Sequence, residues 1–163
     1  MIPPINKVLY ATDLGEHTRP VFRRAVSLAR RYNALLLMVH VVEPLGAAGS
    51  AIVETYLSAE TVEKVLKDGG MHDVLERMKK QVQLFAEEEF AGESAERVPD
   101  TEVHVSMGTP SRELLRIAEE NKVDVIVMGK SAHSFFGNTM MGTCARRVTR
   151  YSNIPVYLVP NND

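Results

Sequence analysis

Residues 123–129 read Val-Asp-Val-Ile-Val-Met-Gly, an almost unbroken apolar run that ends on glycine. It lacks the polar/apolar alternation of a half-solvated strand, so it calls for a parallel strand covered on both faces. The glycine at its end lets the backbone turn sharply and come close to a ligand. After a loop, Gly142-Thr143 opens a helical stretch whose free N–H groups and positive dipole end suit an anion. Strand, loop of small residues, Gly-Thr, helix is the layout of a phosphate cradle.

The rest of the chain repeats the strand-then-helix rhythm. Residues 7–12 form a short buried strand, with Asp13 just past its end. Thr18 and Pro20 suit a helix start, and Phe22, Ala25, Val26, Ala29 and Tyr32 recur at helical spacing, with Arg23, Arg24, Arg30 and Arg31 facing water. Asn33 ends that helix, because Asn tolerates the left-handed conformation. Residues 34–42 are apolar almost throughout and predict a second, central strand, completing a βαβ unit. Residues 43–70 interrupt the pattern as a Gly/Ala-rich loop with a short helix over 59–67. Residues 71–90 carry Val74, Leu75, Met78, Val82, Phe85 and Ala86 on one helical face, and the run 87–89 of three glutamates reads as its solvated end.

Residues 91–100 are a polar connection. Val103 and Val105 alternate with polar residues, as in an edge strand. Thr109-Pro110 starts a helix that buries Leu114, Leu115, Ile117 and Ala118, and Asn121 stops it before the strand at 123. A helix over 143–151 places Cys144, Ala145 and Val148 on one face, and Val156-Tyr-Leu-Val159 is a fifth strand. This order predicts an α/β fold: a doubly wound parallel sheet of five strands with helices on both faces. No internal repeat appears, so residues 1–163 are expected to form one domain.

Two phosphate-binding motifs fail against the cradle. Gly137 and Gly142 have P-loop spacing, but Thr143 stands where the lysine belongs. The three-glycine dinucleotide fingerprint is absent after both the first and the fourth strand. What fits is Gly129, then Lys130-Ser131, Ala132, nine residues and Gly142-Thr143. That spacing resembles the motif of nucleotide-binding universal stress proteins, with Ala132 in place of the family's middle glycine. The resemblance extends to Val8-Leu-Tyr-Ala-Thr-Asp13, Leu37-Met-Val-His-Val-Val-Glu-Pro44, the helix after Gly108-Thr-Pro, and Asn153-Ile-Pro-Val-Tyr-Leu-Val159.

The resemblance implies strand order 3-2-1-4-5, which periodicity alone does not supply. With that order the sheet reverses between strands 1 and 4, where open α/β sheets bind ligands. It further implies that Val41 and Asp13 meet an adenosine, with Ala11, Thr12 and Met128 lining its pocket. Gly129, Ala132 and Gly142 would offer N–H groups to phosphates, Thr143 a hydroxyl, Lys130 a charge, with Cys144 next in the helix. His133 stands where family members often carry arginine. The implied ligand is ATP or ADP with Mg2+. The implied assembly is a homodimer that pairs the strand at 156–159 with its copy.

Plainer readings stand beside these. Asp13 can cap the loop before the first helix, Gly129 can serve a tight turn, and Gly142-Thr143 can be an ordinary helix start. Cys144 reads as a small buried side chain or as a thiol activated at a helix start. His17, His40, His72, His104 and His133 show no metal-ligand spacing, and no nucleophile is paired with a base. Charge is nearly balanced, with 19 Lys+Arg against 21 Asp+Glu, which gives no reason to expect nucleic acid or a membrane as partner. With one cysteine, no signal-like N-terminus and no apolar run of about 18 residues, the expectation is a cytosolic protein. Three functions compete: a nucleotide-responsive binding protein, a non-binding interaction module, and a slow ATPase or nucleotidyl-transferring enzyme on the same fold.

Overall fold

A computed structural model describes residues 1–14, 16–43, 70–130 and 141–161. Five strands, β1 (Lys7–Thr12), β2 (Leu35–Val42), β3 (Thr101–Met107), β4 (Val125–Gly129) and β5 (Val156–Val159), form one sheet in the order β3-β2-β1-β4-β5. Every neighbouring pair is parallel. The helices are α1 (Arg19–Tyr32), α2 (Gly70–Phe90), α3 (Pro110–Glu120) and α4 (Thr143–Tyr151). Most of the expected 43–70 insertion, including its short helix, lies outside the described residues, as do Ala132 and His133.

The unalternating strands are explained by the two cores they separate. Val8 and Tyr10 of β1, Leu36 and Met38 of β2 and Val127 of β4 pack against α1 and α2. Leu9, Leu37, Val39, Ile126 and Met128 point the other way, against Leu114, Ile117 and Ala118 of α3 and Ala145 and Val148 of α4. Each central strand thus buries both sets of side chains, and the sheet is wound on both faces.

Several local expectations are corrected. Thr18 does not cap α1: its backbone is helical (φ −83°, ψ −23°), at the end of a 3-10 turn over Glu16–Thr18, and its hydroxyl turns inward. Tyr32, the last helical residue, is half exposed, because it lies on the flank of the apolar stripe where the helix runs out. Asn33 is left-handed as expected, at φ 53°. Asn121 ends α3 as expected, its Nδ2 donating to Ile117 O at 2.8 Å, and the left-handed residue there is Lys122 (φ 52°). The fourth strand then starts at Val125. Val123 N–H closes back on Ala118 O (2.9 Å), and the Asp124 carboxylate takes the Asn6 and Lys7 amides at 2.7 and 2.9 Å.

The glutamate run is also not uniformly solvated. The Glu89 side chain is only 5% exposed and sits between Arg19 (2.6 Å) and Arg23 (3.1 Å), which are one turn apart on α1. This clamp joins α1 to α2 beside the Phe22, Phe85 and Phe90 rings, which meet edge to face at 5.2–5.3 Å. Its partners are some 66 and 70 residues apart in the chain, a separation no local pattern reveals. Among the described residues no helix is long and apolar enough to cross a membrane.

Candidate functional site

The carboxyl ends of β1, β2 and β4 open into a cavity of about 580 Å³. Ala11, Thr12 and Asp13 line it from β1 and Val39, His40, Val41, Val42 and Glu43 from β2. Met128 and Gly129 line it from β4, Gly142, Thr143, Cys144 and Ala145 from the start of α4, and Pro110 and Leu114 from α3. Its volume falls within the range of small-molecule pockets, and its place at the reversal of strand order is the usual one in such sheets.

The start of α4 supplies the polar end. Gly142 is the N-cap residue (φ −59°, ψ 152°), so no side chain caps the helix, and the first turn holds no acid. The first intrahelical bond runs from Arg146 N–H to Gly142 O at 3.0 Å. The amides of Thr143, Cys144 and Ala145 precede it and have no partner within the helix. Gly142 itself differs from expectation. Its N–H donates to Lys130 O at 3.0 Å, and Lys130 N–H donates to Val159 O at 2.8 Å. These bonds tie Gly142 to Lys130 and Lys130 to β5, so the first-turn amides without a backbone partner among the described residues begin at Thr143.

The apolar end is set by the way β1 stops before β2. Thr12 pairs with His40, and β2 continues through Val41 and Val42 alongside β3. Val42 O accepts from Gly108 N–H at 3.0 Å on the β3 side. Strand backbone groups alternate in direction, so the Val41 carbonyl faces β1. The β1 residue in register to meet it is Leu14, but Leu14 is left-handed (φ 61°) and its N–H donates to Thr12 Oγ1 at 3.1 Å. A hydrogen-bond acceptor therefore faces the cavity between the walls made by Val39, Met128 and Leu114.

Of the residues expected to form the site, the structure brings together Ala11, Thr12, Asp13, Val41, Met128, Gly129, Gly142, Thr143 and Cys144 around one cavity. Lys130 is not among the lining residues; its backbone holds the loop. Burial pushes the Cys144 thiol up to about 11, with the Glu43 carboxylate raising it further and Arg147 opposing. This favours the reading of Cys144 as a small packed side chain over that of an activated thiol.

Sequence reasoning missed His40, Glu43, Pro110, Leu114 and Asn161, which also line the cavity. His40, Glu43 and Asn161 lie near or just beyond the carboxyl end of a strand and Pro110 starts the following helix, so position is their signal; Leu114 lies a turn further into α3. His40 is held by its Nδ1, 2.8 Å from Thr12 O. Among the described residues no group of three His, Cys, Asp or Glu gathers to hold a metal.

Comparison with known proteins accords with this fold. The family model of the universal stress protein family matches residues 4–160. The universal stress protein YxiE of Bacillus subtilis is 28% identical over 159 residues, covering 94% of this chain and 98% of the relative. The universal stress protein MJ0577 of Methanocaldococcus jannaschii is 24% identical over 161 residues, covering 94% of each. Among solved structures, the universal stress protein UspA from Lactobacillus plantarum superposes with a TM-score of 0.64 at 18% identity, over 97% of this chain and 99% of that one. A universal stress protein solved in complex with cAMP superposes with a TM-score of 0.59 at 21% identity, over 98% and 100%. With the family model spanning nearly its whole length, this chain belongs to the universal stress protein family.

Proposed function

We propose that the cavity binds an adenine nucleotide, ATP or ADP with Mg2+, and that the protein acts as a nucleotide-responsive dimer. The observation that carries this reading is the start of α4. A helix whose N-cap is a glycine and whose first turn carries no acidic residue of its own opens onto the cavity, which Asp13 and Glu43 also line. Such a terminus favours a bound anion through its N–H groups and its dipole. At the other end, the Val41 carbonyl has the polarity to accept from an exocyclic amine, and Val39, Met128 and Leu114 offer the apolar surface a purine ring needs. The same fold holds cAMP in another family member. With no acidic cluster to hold a metal among the described residues, Mg2+ would arrive on the phosphates.

One observation favours a second reading, an interaction module that binds no nucleotide. Gly142 N–H is satisfied by Lys130 O, so one donor of the expected cradle is already used inside the protein. Release of small molecules from the purified protein by acid separates the two. Recovery of ATP or ADP at close to one per chain supports the binding protein; protein that yields none, and takes up none on titration, supports the module.

The dimer rests on β5. It lies at the sheet edge, its ring of Tyr157 is 43% exposed, and its outer backbone groups have no strand beside them within the described residues. Such edges are covered or paired in stable proteins.

A further inference from the structure

Three hydroxyls lie together in the core where β1 meets α1. Tyr10, Thr12 and Thr18 are respectively 0%, 6% and 4% exposed, among aliphatic and aromatic neighbours. Burying hydroxyls there is unfavourable unless each finds partners. The Tyr10 hydroxyl donates to Thr18 O at 3.3 Å and is also hydrogen-bonded to Thr18 Oγ1. Thr18 Oγ1 lies 3.1 Å from Thr12 Oγ1, which accepts from Leu14 N–H at 3.1 Å. One assignment of protons satisfies all three. Tyr10 donates to Thr18 O, Thr18 donates to the Tyr10 oxygen, and Thr12 donates to Thr18 Oγ1, leaving Thr12 Oγ1 open to the Leu14 amide.

The chain of hydroxyls ends on a strained turn. Leu14 holds a left-handed backbone that a branched side chain resists, and its amide is fixed by the last link of the chain. Asp13 is carried between Thr12 and Leu14 and lines the cavity. His40 fixes the same residue from the opposite side, through Thr12 O. Tyr10 does not line the cavity, yet it is the far end of the network that sets this turn. Its ring packs edge to face on Phe22 at 5.5 Å, so ring and hydroxyl have separable roles.

We infer that the Tyr10 hydroxyl is a positioning group: through Thr18 and Thr12 it holds the turn that presents Asp13 to the cavity, and so tunes what the cavity binds. The effect on affinity rests on the nucleotide reading; the effect on the turn does not. A phenylalanine at position 10 keeps the ring and removes the hydroxyl, leaving Thr18 with a donor and a carbonyl without their partner.

The test compares Tyr10→Phe, Thr18→Val and Thr18→Ser with the parent, by amide exchange measured with NMR and by titration with ATP and Mg2+. Tyr10→Phe and Thr18→Val should speed exchange of the Leu14 amide about tenfold, and weaken ATP binding by about fivefold to tenfold. Thr18→Ser, which keeps the hydroxyl, should restore both. Variants that melt earlier yet show parental Leu14 exchange overturn the positioning role and leave the network merely structural. Faster exchange with parental ATP affinity overturns the coupling to the cavity. A parent that binds no ATP contradicts the nucleotide reading instead, and the exchange result then decides the positioning role alone.

Discussion

Asn161 lies directly against Gly129: a methyl group on Gly129 would stand 2.6 Å from Asn161 Nδ2 and 3.0 Å from its Cγ. Gly129 therefore makes room for a side chain that follows β5, at the floor of the cavity both residues line. Gly129→Ala should cost up to about 1 kcal/mol, because the Asn161 amide it meets is the far end of a side chain that can shift. Asn161→Ala in the same chain should recover much of that loss, giving a coupling of up to about 1 kcal/mol in a double-mutant cycle by denaturant unfolding. Costs that simply add would show that the contact does not limit residue 129.

Glu89 and its two arginines should respond asymmetrically. Glu89 is the buried member and the arginines are largely exposed. Removing both arginines leaves a buried carboxylate without partners, whereas Glu89→Leu leaves two cations in water. Arg19→Ala with Arg23→Ala is expected to destabilise by about 2 kcal/mol, and Glu89→Leu by less than half of that. Equal losses on urea unfolding would contradict the burial argument.

The strands and most helix limits were legible in the sequence because burial on both faces leaves an unbroken apolar run. Residues 34–42 and 123–129 show it most clearly, and Asn33 marks its turn by its own backbone preference. The order of strands was not legible from periodicity; it came from the family resemblance. The site was legible where chemistry sits next to a strand end, as at Asp13 and Gly129. Asn161 and the Glu89 clamp were hidden because each depends on a partner far away in the chain. Tyr10 was hidden for another reason: inside an apolar run a tyrosine reads as one more hydrophobe, and its hydroxyl acquires a role only once Thr18 folds over it.

Alkaline pH should weaken the fold through one buried and one partly buried acid. The Cys144 thiol is pushed up to about 11 and the Tyr10 hydroxyl to about 12, each chiefly by burial. Both folded values lie above the unfolded ones, so the folded state binds these protons more tightly. The stability this confers is full below about pH 8.5 for the thiol and about pH 10 for the phenol, and disappears as pH rises through the folded values. Unfolding followed from pH 7 to 11 should show a plateau and then a decline, with a shallower decline in Cys144→Ala. At pH 8 about one thiol in a thousand is ionised, so alkylation should be far slower than for free cysteine. Saturating ATP should slow it further, because Cys144 lines the cavity.

The β5 edge offers a test of assembly. Pro155 O and Val159 O serve β4, accepting from Ile126 and Lys130, so the backbone groups of Val156 and Leu158 face outward. In a dimer that pairs β5 with its copy, the amides of Val156 and Leu158 should be protected from exchange although β4 does not use them. Sedimentation at micromolar concentration should give twice the chain mass; a monomer with both amides exchanging freely would rule out this pairing.

Binding at the start of α4 is tested most directly by titrating ATP with Mg2+ into the parent protein and Gly142→Val. Gly142 has φ −59°, which valine adopts without strain, so the substitution adds bulk at the cavity wall and leaves the backbone its native shape. Loss of the glycine N-cap should cost no more than about 1 kcal/mol of stability. The parent is expected to bind about one nucleotide per chain, and Gly142→Val, still folded by circular dichroism, at least about tenfold more weakly. A folded Gly142→Val that binds as tightly as the parent would place the phosphates somewhere other than the start of α4.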